Sequence, residues 1–148
     1  MPLDLWGGRD IGFFRKLRNH ETVEVPDCRE ILLQPGYNWD LASAFVKALE
    51  QPEAVPGEIF VISCARAIRL EQYLRCAMNF LNSRSVIRWI DADEFQKSHP
   101  EHTGLPFLRQ HMCFSVDKAR HWLNYVPNCT AESGLKRALS WCIENGQL

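Results

Sequence analysis

The residue types best suited to chemistry gather late in the chain. His99-x-x-His102 is followed by His111-x-Cys113, and imidazole with thiolate at short spacing is the donor set of zinc sites. Pro100 interrupts the first pair and the links are irregular, so a polar loop is the better reading of the spacing. Cys113 with His111 has the composition of a nucleophile and its base, but nothing in the sequence places the pair. A phosphate-cradling turn is missing: Gly7-Gly8 has neither the third glycine nor the preceding strand of a dinucleotide fingerprint. No Ser/His/Asp order is recognisable. From the residues alone the chain presents no catalytic residue, and no metal site is assigned.

Any such group has to be positioned by short elements, the clearest of which lie between Leu32 and Ser63. Asp40 stands where a helix N-cap belongs. Leu41, Ala44, Phe45, Ala48 and Leu49 then recur at helical spacing, which predicts a helix over 40–50 with one apolar face inward. Pro52 and Pro56-Gly57 end it. Residues 58–63 form a short apolar run with β-branched and aromatic members, the pattern of a strand covered on both faces.

Upstream, Asp10 is placed to cap a short helix whose Ile11, Phe14 and Leu17 share a face, and Leu3, Leu5 and Trp6 precede the Gly7-Gly8 break. Thr22–Pro26 and Ile31–Leu33 read as short strands, with a turn at Pro35-Gly36. Downstream, a helix is expected over Leu70–Leu81, burying Leu70, Tyr73, Leu74, Ala77, Phe80 and Leu81. Ser85–Ile90 alternates as a strand does, and Asp91 caps an acidic helix ending near His99-Pro100. Pro100–Met112 carries Pro, Gly and His without a period and reads as loop or a lid-like segment. Ser115 caps a helix with Val116, Ala119 and Leu123 inward; Thr130 caps the last, striped by Leu135, Ala138, Leu139, Cys142 and Ile143 and ended by Asn145-Gly146. The fold class is α/β, with helices dominant in the second half.

The 148 residues suit one domain, residues 1–148, burying roughly 70% of its unfolded surface. A net charge of −1 gives no electrostatic reason to expect nucleic acid or an anionic membrane as partner. Arg15, Lys16 and Arg18 read as a solvated helix face. No apolar run approaches the ~20 residues that span a bilayer and no basic-then-apolar leader is present, so the expected compartment is the cytoplasm. The six cysteines are scattered without a C-x-x-C pair and read as structural thiols of a reducing compartment. Trp122 and Trp141 read as core or groove fillers.

Residues 32–63 and 114–142 together carry a resemblance. They follow the order of the C-terminal part of the NAD-dependent epimerase/dehydratase family, the extended short-chain dehydrogenase/reductases: a turn, a Val-Asp-Asp-Leu-Ala helix, a Gly-Glu-x-Phe-Asn-Ile-Ser strand, then a Ser-Lys-Ala helix and a Leu-Gly-Tyr-x-Pro turn. The matching residues are Asp40, Leu41, Ala42, Gly57, Glu58, Phe60, Ile62, Ser63, Lys118, Ala119, Leu123, Tyr125, Pro127, Gly134, Leu135 and Trp141. The segment 2–20 resembles the stretch just beyond the family's Arg-Pro-x-x-Val-Tyr-Gly strand end. Departures are equally plain. Asp27-Cys28-Arg29 replaces a Gly-Asp-Gly, Leu33 stands where a phosphate-binding arginine is frequent, and Val61 replaces the Asn of the strand.

The resemblance implies a partial extended short-chain dehydrogenase/reductase fold. It would be the substrate-binding portion, with residues 40–63 equivalent to the last helix and strand of a Rossmann half that would precede Met1. It implies NAD or NADP for the parent family and no cofactor for this chain by itself, because neither the glycine-rich turn nor a Tyr-x-x-x-Lys occurs: Leu41, Ala77 and Cys129 follow the tyrosines at the fourth position. Nucleotide-sugar contact would fall to Gln34, Tyr37, Trp39 and Arg109, although a solvated loop arginine is the plainer reading of the last. Without its sheet, strand 58–63 and helix 40–50 would lie bare, so a homo-oligomer through that face or a separate Rossmann chain is expected as partner. The favoured function is a non-catalytic substrate-side module of an epimerase/dehydratase-like protein. The alternatives are a subunit needing a Rossmann chain, a binding protein and a gene remnant. One branch of the family looks like chloroplast RNA-binding proteins, but the near-neutral charge argues against RNA.

Overall fold

A computed structural model describes residues 11–53, 55–100 and 105–148, the side chains at 107 and 108 apart. The readings placed on Leu3, Leu5, Trp6, Gly7-Gly8, Asp10 and His102 lie outside the described residues. What is described is a mixed α/β fold with few, short strands. Ile11, Phe14 and Leu17 put one side of helix α1 (Ile11–Arg18) into the core. Strand β1 (Val23–Pro26) follows, then β2 (Leu32–Leu33) and helix α2 (Asn38–Leu49). Strand β3 (Ile68–Arg69) runs into helix α3 (Leu70–Phe80), and strand β4 (Ile87–Ile90) into helix α4 (Ala92–Ser98). Three helices close the chain: α5 (Leu105–Leu108), α6 (Asp117–Leu123) and α7 (Ala131–Glu144).

β1 and β4 pair in parallel, Val23 opposite Ile87 through Pro26 opposite Ile90. β2 and β3 pair antiparallel, Leu32 opposite Arg69. α1, α3 and α7 meet over β1, where Phe14, Leu17, Val23, Ala77, Leu135 and Leu139 form one core. A second core joins Val25, Cys28, Leu70, Leu74, Phe95 and Leu105. The third lies between α2 and α6 and holds Ala44, Val116, Ala119, Leu123 and Tyr125.

Local signals set most boundaries. Asp91 caps α4, its carboxylate accepting from the Asp93 and Glu94 N–H groups. Thr130 caps α7 in a reciprocal box with Ser133. Left-handed residues follow four helices: His20 (φ 62°), Asn82 (φ 50°), Asn124 (φ 51°) and Gly146 (φ 67°). α6 starts one residue later than expected: its formal cap is Val116, and the Ser115 hydroxyl just before it accepts the Asp117 N–H at 3.0 Å. The stretch read as loop over 100–112 contains the short α5. Trp122 is 44% and Trp141 38% exposed, so neither fills the core.

The largest corrections concern residues 38–63. Asp40 is not a cap: α2 begins two residues earlier, behind Tyr37. Of the face expected inward, only Ala44 is buried and Ala48 half-buried, whereas Leu41, Phe45 and Leu49 are exposed. The reason is size and partner. α6 packs against the alanine side, and no described element covers the other. Residues 58–63 form no strand, because a ladder needs a neighbour, and among the described residues the N–H groups of 59–63 donate to no backbone carbonyl. The period-2 pattern is still present. Phe60 and Ile62 pack on the third core while Ile59 is 84% exposed, so one face is covered rather than two.

Candidate functional site

Asp40 organises this end of the molecule. Only 2% exposed, its carboxylate accepts the N–H and the side-chain amide of Asn128 (3.0 and 3.1 Å) and the Cys129 N–H (3.0 Å). It therefore ties the first turn of α2 to the loop that leads into α7. Beside it the fully buried Tyr125 donates its hydroxyl to the Ser63 carbonyl at 2.9 Å. Burial, with the Asp40 charge second, pushes this phenol up to about 12. The 58–63 segment is thus fastened at its end by a side chain that stays protonated and donating.

The four expected contact residues do not converge. Gln34 spends both ends of its amide on backbone, donating to the Cys64 carbonyl (2.7 Å) and accepting the Phe114 N–H (2.6 Å). Tyr37 lines a cleft of about 240 Å³ between the Pro35–Leu41 stretch and α7. There a Cβ on Gly134 would lie 3.4 Å from the Tyr37 Cβ, at ordinary van der Waals contact. The Arg137 guanidinium stands 5.8 Å from the Tyr37 ring centroid. Trp39, 70% exposed, lines neither this cleft nor the next.

Arg109 lines a second cleft of about 400 Å³ with Asp27, Cys28, Arg29, Glu30, Ile31, Ala92 and His111. Two guanidinium groups and an imidazole here have the chemistry of an anion site, tempered by pairing. Arg29 is held by both oxygens of Asp27 (2.7 and 2.8 Å) and Arg109 by Asp93 (2.5 Å). Those arginine hydrogen bonds hold the Asp27 and Asp93 carboxyls below the usual range. Sequence reasoning passed over Arg29, Cys28 and His111 as cleft residues. For Cys28 and Arg29 the signal was their place in Asp27-Cys28-Arg29, where the resembled family keeps glycines; His111 carried no such signal.

Two members of the late His/Cys cluster make other contacts, and a third, His102, lies outside the described residues. His111 Nδ1 accepts the Leu32 N–H at 3.1 Å, which uses the nitrogen that would serve Cys113 as base. His99 stacks on Phe95 with centroids 4.3 Å apart. Among the described residues no three His, Cys, Asp or Glu side chains gather as metal ligands. Burial pushes the Cys28 thiol up, Arg109 opposing, so it stays protonated.

No protein-family model matches the sequence. A chloroplast stem-loop binding protein of 41 kDa (b) from Arabidopsis thaliana is 29% identical over 135 residues, 90% of this chain and 33% of that protein. The epimerase Mth375 of Methanothermobacter thermautotrophicus superposes with a TM-score of 0.74 at 16% identity, over 92% of this chain and 37% of its own. The UDP-glucose 4-epimerase of Thermotoga maritima, solved with UDP-glucose, gives 0.68 at 18% identity over 91% and 39%. The protein gox2253 gives 0.71 at 19% over 99% and 47%. The chain thus has a partial epimerase-like fold, spanning 33% of the curated relative and 37–47% of these structures. Among the described residues no helix is long and apolar enough to cross a membrane.

Proposed function

We propose that this chain is the substrate-side portion of an epimerase/dehydratase-like protein and performs no chemistry by itself. The observation that carries this reading is the uncovered apolar surface of α2 and the segment after it. Trp39, Phe45, Val46, Leu49 and Ile59 are 55–84% exposed, beside backbone N–H groups at 59–63 that lack a backbone partner among the described residues. Covering even ~400 Å² of such surface would be worth about 10 kcal/mol before ordering costs. In the isolated chain a second copy takes this face. A nucleotide-binding half, in a longer protein or a separate chain, competes for it.

The chain contributes the 400 Å³ cleft, where Arg109, with Arg29 and His111, meets the phosphates of a nucleotide sugar. Tyr37 and Trp39 would contribute only through the α2 side, and Gln34 as a brace for the loops around it. NAD or NADP has no glycine-rich turn and no Tyr-x-x-x-Lys here, so no catalytic step is assigned to these residues. The test is titration of the isolated chain with NAD, alongside sedimentation. No saturable NAD binding and a dimer at micromolar concentration are expected. A micromolar Kd for NAD would overturn the non-catalytic reading, and a monomer at high concentration would overturn the self-association.

A second reading, binding of structured RNA, is favoured by two observations. The curated relative is named for stem-loop binding and matches 90% of this chain. And although the net charge is −1, the cations are not evenly spread, as the end of α1 shows.

A further inference from the structure

α1 closes on Arg15, Lys16 and Arg18, all exposed. Its inner face is Ile11, Phe14 and Leu17, so helical spacing puts the cations on the solvent side. His20 then adopts the left-handed conformation and the Glu21 N–H returns to the Lys16 carbonyl at 3.0 Å. This brings the turn after α3 alongside. The hydroxyls of Ser83 and Ser85 both donate to the Leu17 carbonyl (2.5 and 3.4 Å), and the Arg84 N–H donates to His20 Nδ1 at 3.2 Å. Arg84, 64 residues from His20 in sequence, thereby joins the same edge. With Nδ1 accepting, the neutral His20 ring carries its proton on Nε2, a donor on an exposed side chain.

The carboxylates that follow His20 in sequence, Glu21 and Glu24, are both engaged. Glu24 pairs with Arg88, and Glu21 accepts from the Asn19 amide. Among the described residues Lys16, Arg18 and Arg84 have no carboxylate partner. Compensation of the α1 dipole accounts for cations in its last turn. It does not account for Arg84, which sits on a turn, nor for His20, which lies beyond the helix. Arg15 already donates to the Gln147 carbonyl at 2.9 Å.

We propose that Lys16, Arg18, His20 and Arg84 form a docking edge for the phosphate backbone of an RNA stem-loop. This rests on the second reading above. Donors of this kind fix position and orientation on the backbone and read no sequence, so binding is salt-dependent and tolerant of base identity.

The experiment is anisotropy of a fluorescent RNA hairpin titrated with the full chain at several salt concentrations. It compares the wild type, a Lys16→Glu/Arg18→Glu/Arg84→Glu variant and an Arg29→Glu/Arg109→Glu variant at the 400 Å³ cleft. The expected result is a log-linear salt dependence for the wild type. The edge variant should lose about tenfold or more in affinity at low salt, with a slope smaller by up to about 3, while the cleft variant stays near wild type. Circular dichroism checks folding; should the triple variant unfold, Arg84→Gln alone, on its turn, carries the comparison. Wild-type binding that the edge variant leaves intact, or that only the cleft variant removes, overturns the edge and leaves the RNA reading standing. No wild-type binding at low salt overturns both. Equal competition by polyglutamate overturns the RNA assignment in favour of an acidic peptide.

Discussion

Deleting the Asp40 carboxylate would strand the backbone N–H groups of Asn128 and Cys129, which it accepts at 3.0 Å from a buried position. A buried donor left unmade costs about 1–3 kcal/mol. Asp40→Ala should therefore lower stability by about 2–4 kcal/mol in urea unfolding, with Asp40→Asn between it and wild type because its amide oxygen still accepts. An unchanged midpoint would show that the clasp contributes nothing. Tyr125 gives a pH signature. Its pKa is raised in the fold to about 12, against about 10 in an unfolded chain. The neutral phenol is the form the fold favours. The contribution is thus complete below pH ~10 and fades as pH rises through ~12. Ultraviolet titration should show one phenol ionising late, and Tyr125→Phe should remove that late step along with the bond to Ser63.

At the scale of elements, α7 joins the first core to the 240 Å³ cleft. Thr130→Ala removes the cap that accepts the Ser133 N–H and should cost about 1 kcal/mol in thermal or urea unfolding. Gly134 is the opposite case. A Cβ there would meet Tyr37 at 3.4 Å, an ordinary contact, and the helix would gain the propensity that glycine withholds. Gly134→Ala should stabilise by about 0.5–1 kcal/mol, and a loss instead would mean that Tyr37 does not yield. The exposed ion pairs, such as Arg75–Glu71 and Arg120–Asp117, should matter little when mutated singly.

At the scale of the whole molecule, the uncovered face predicts association. Phe45→Lys with Leu49→Glu should turn a sedimenting dimer into a monomer while circular dichroism keeps its helical signal, because both side chains are exposed. If the variant sediments as the wild type does, the interface lies elsewhere. Much of this fold was legible in the sequence. The caps at Asp91 and Thr130, the Ile11, Phe14 and Leu17 face, and the strands near 23–26 and 87–90 follow from local spacing and turn chemistry. The sequence by itself determined these because each depends on residues within a turn or two. Which side of α2 is buried was not legible, since both sides are apolar and only the position of α6 chooses the alanines. Nor was the role of Asp40, whose partners lie 88 and 89 residues away. The gathering of Arg109 with Arg29 and His111, and of Arg84 with the end of α1, was likewise decided by the tertiary structure alone. Side chains distant in sequence become neighbours only when packing and long-range hydrogen bonds fix where each element lies.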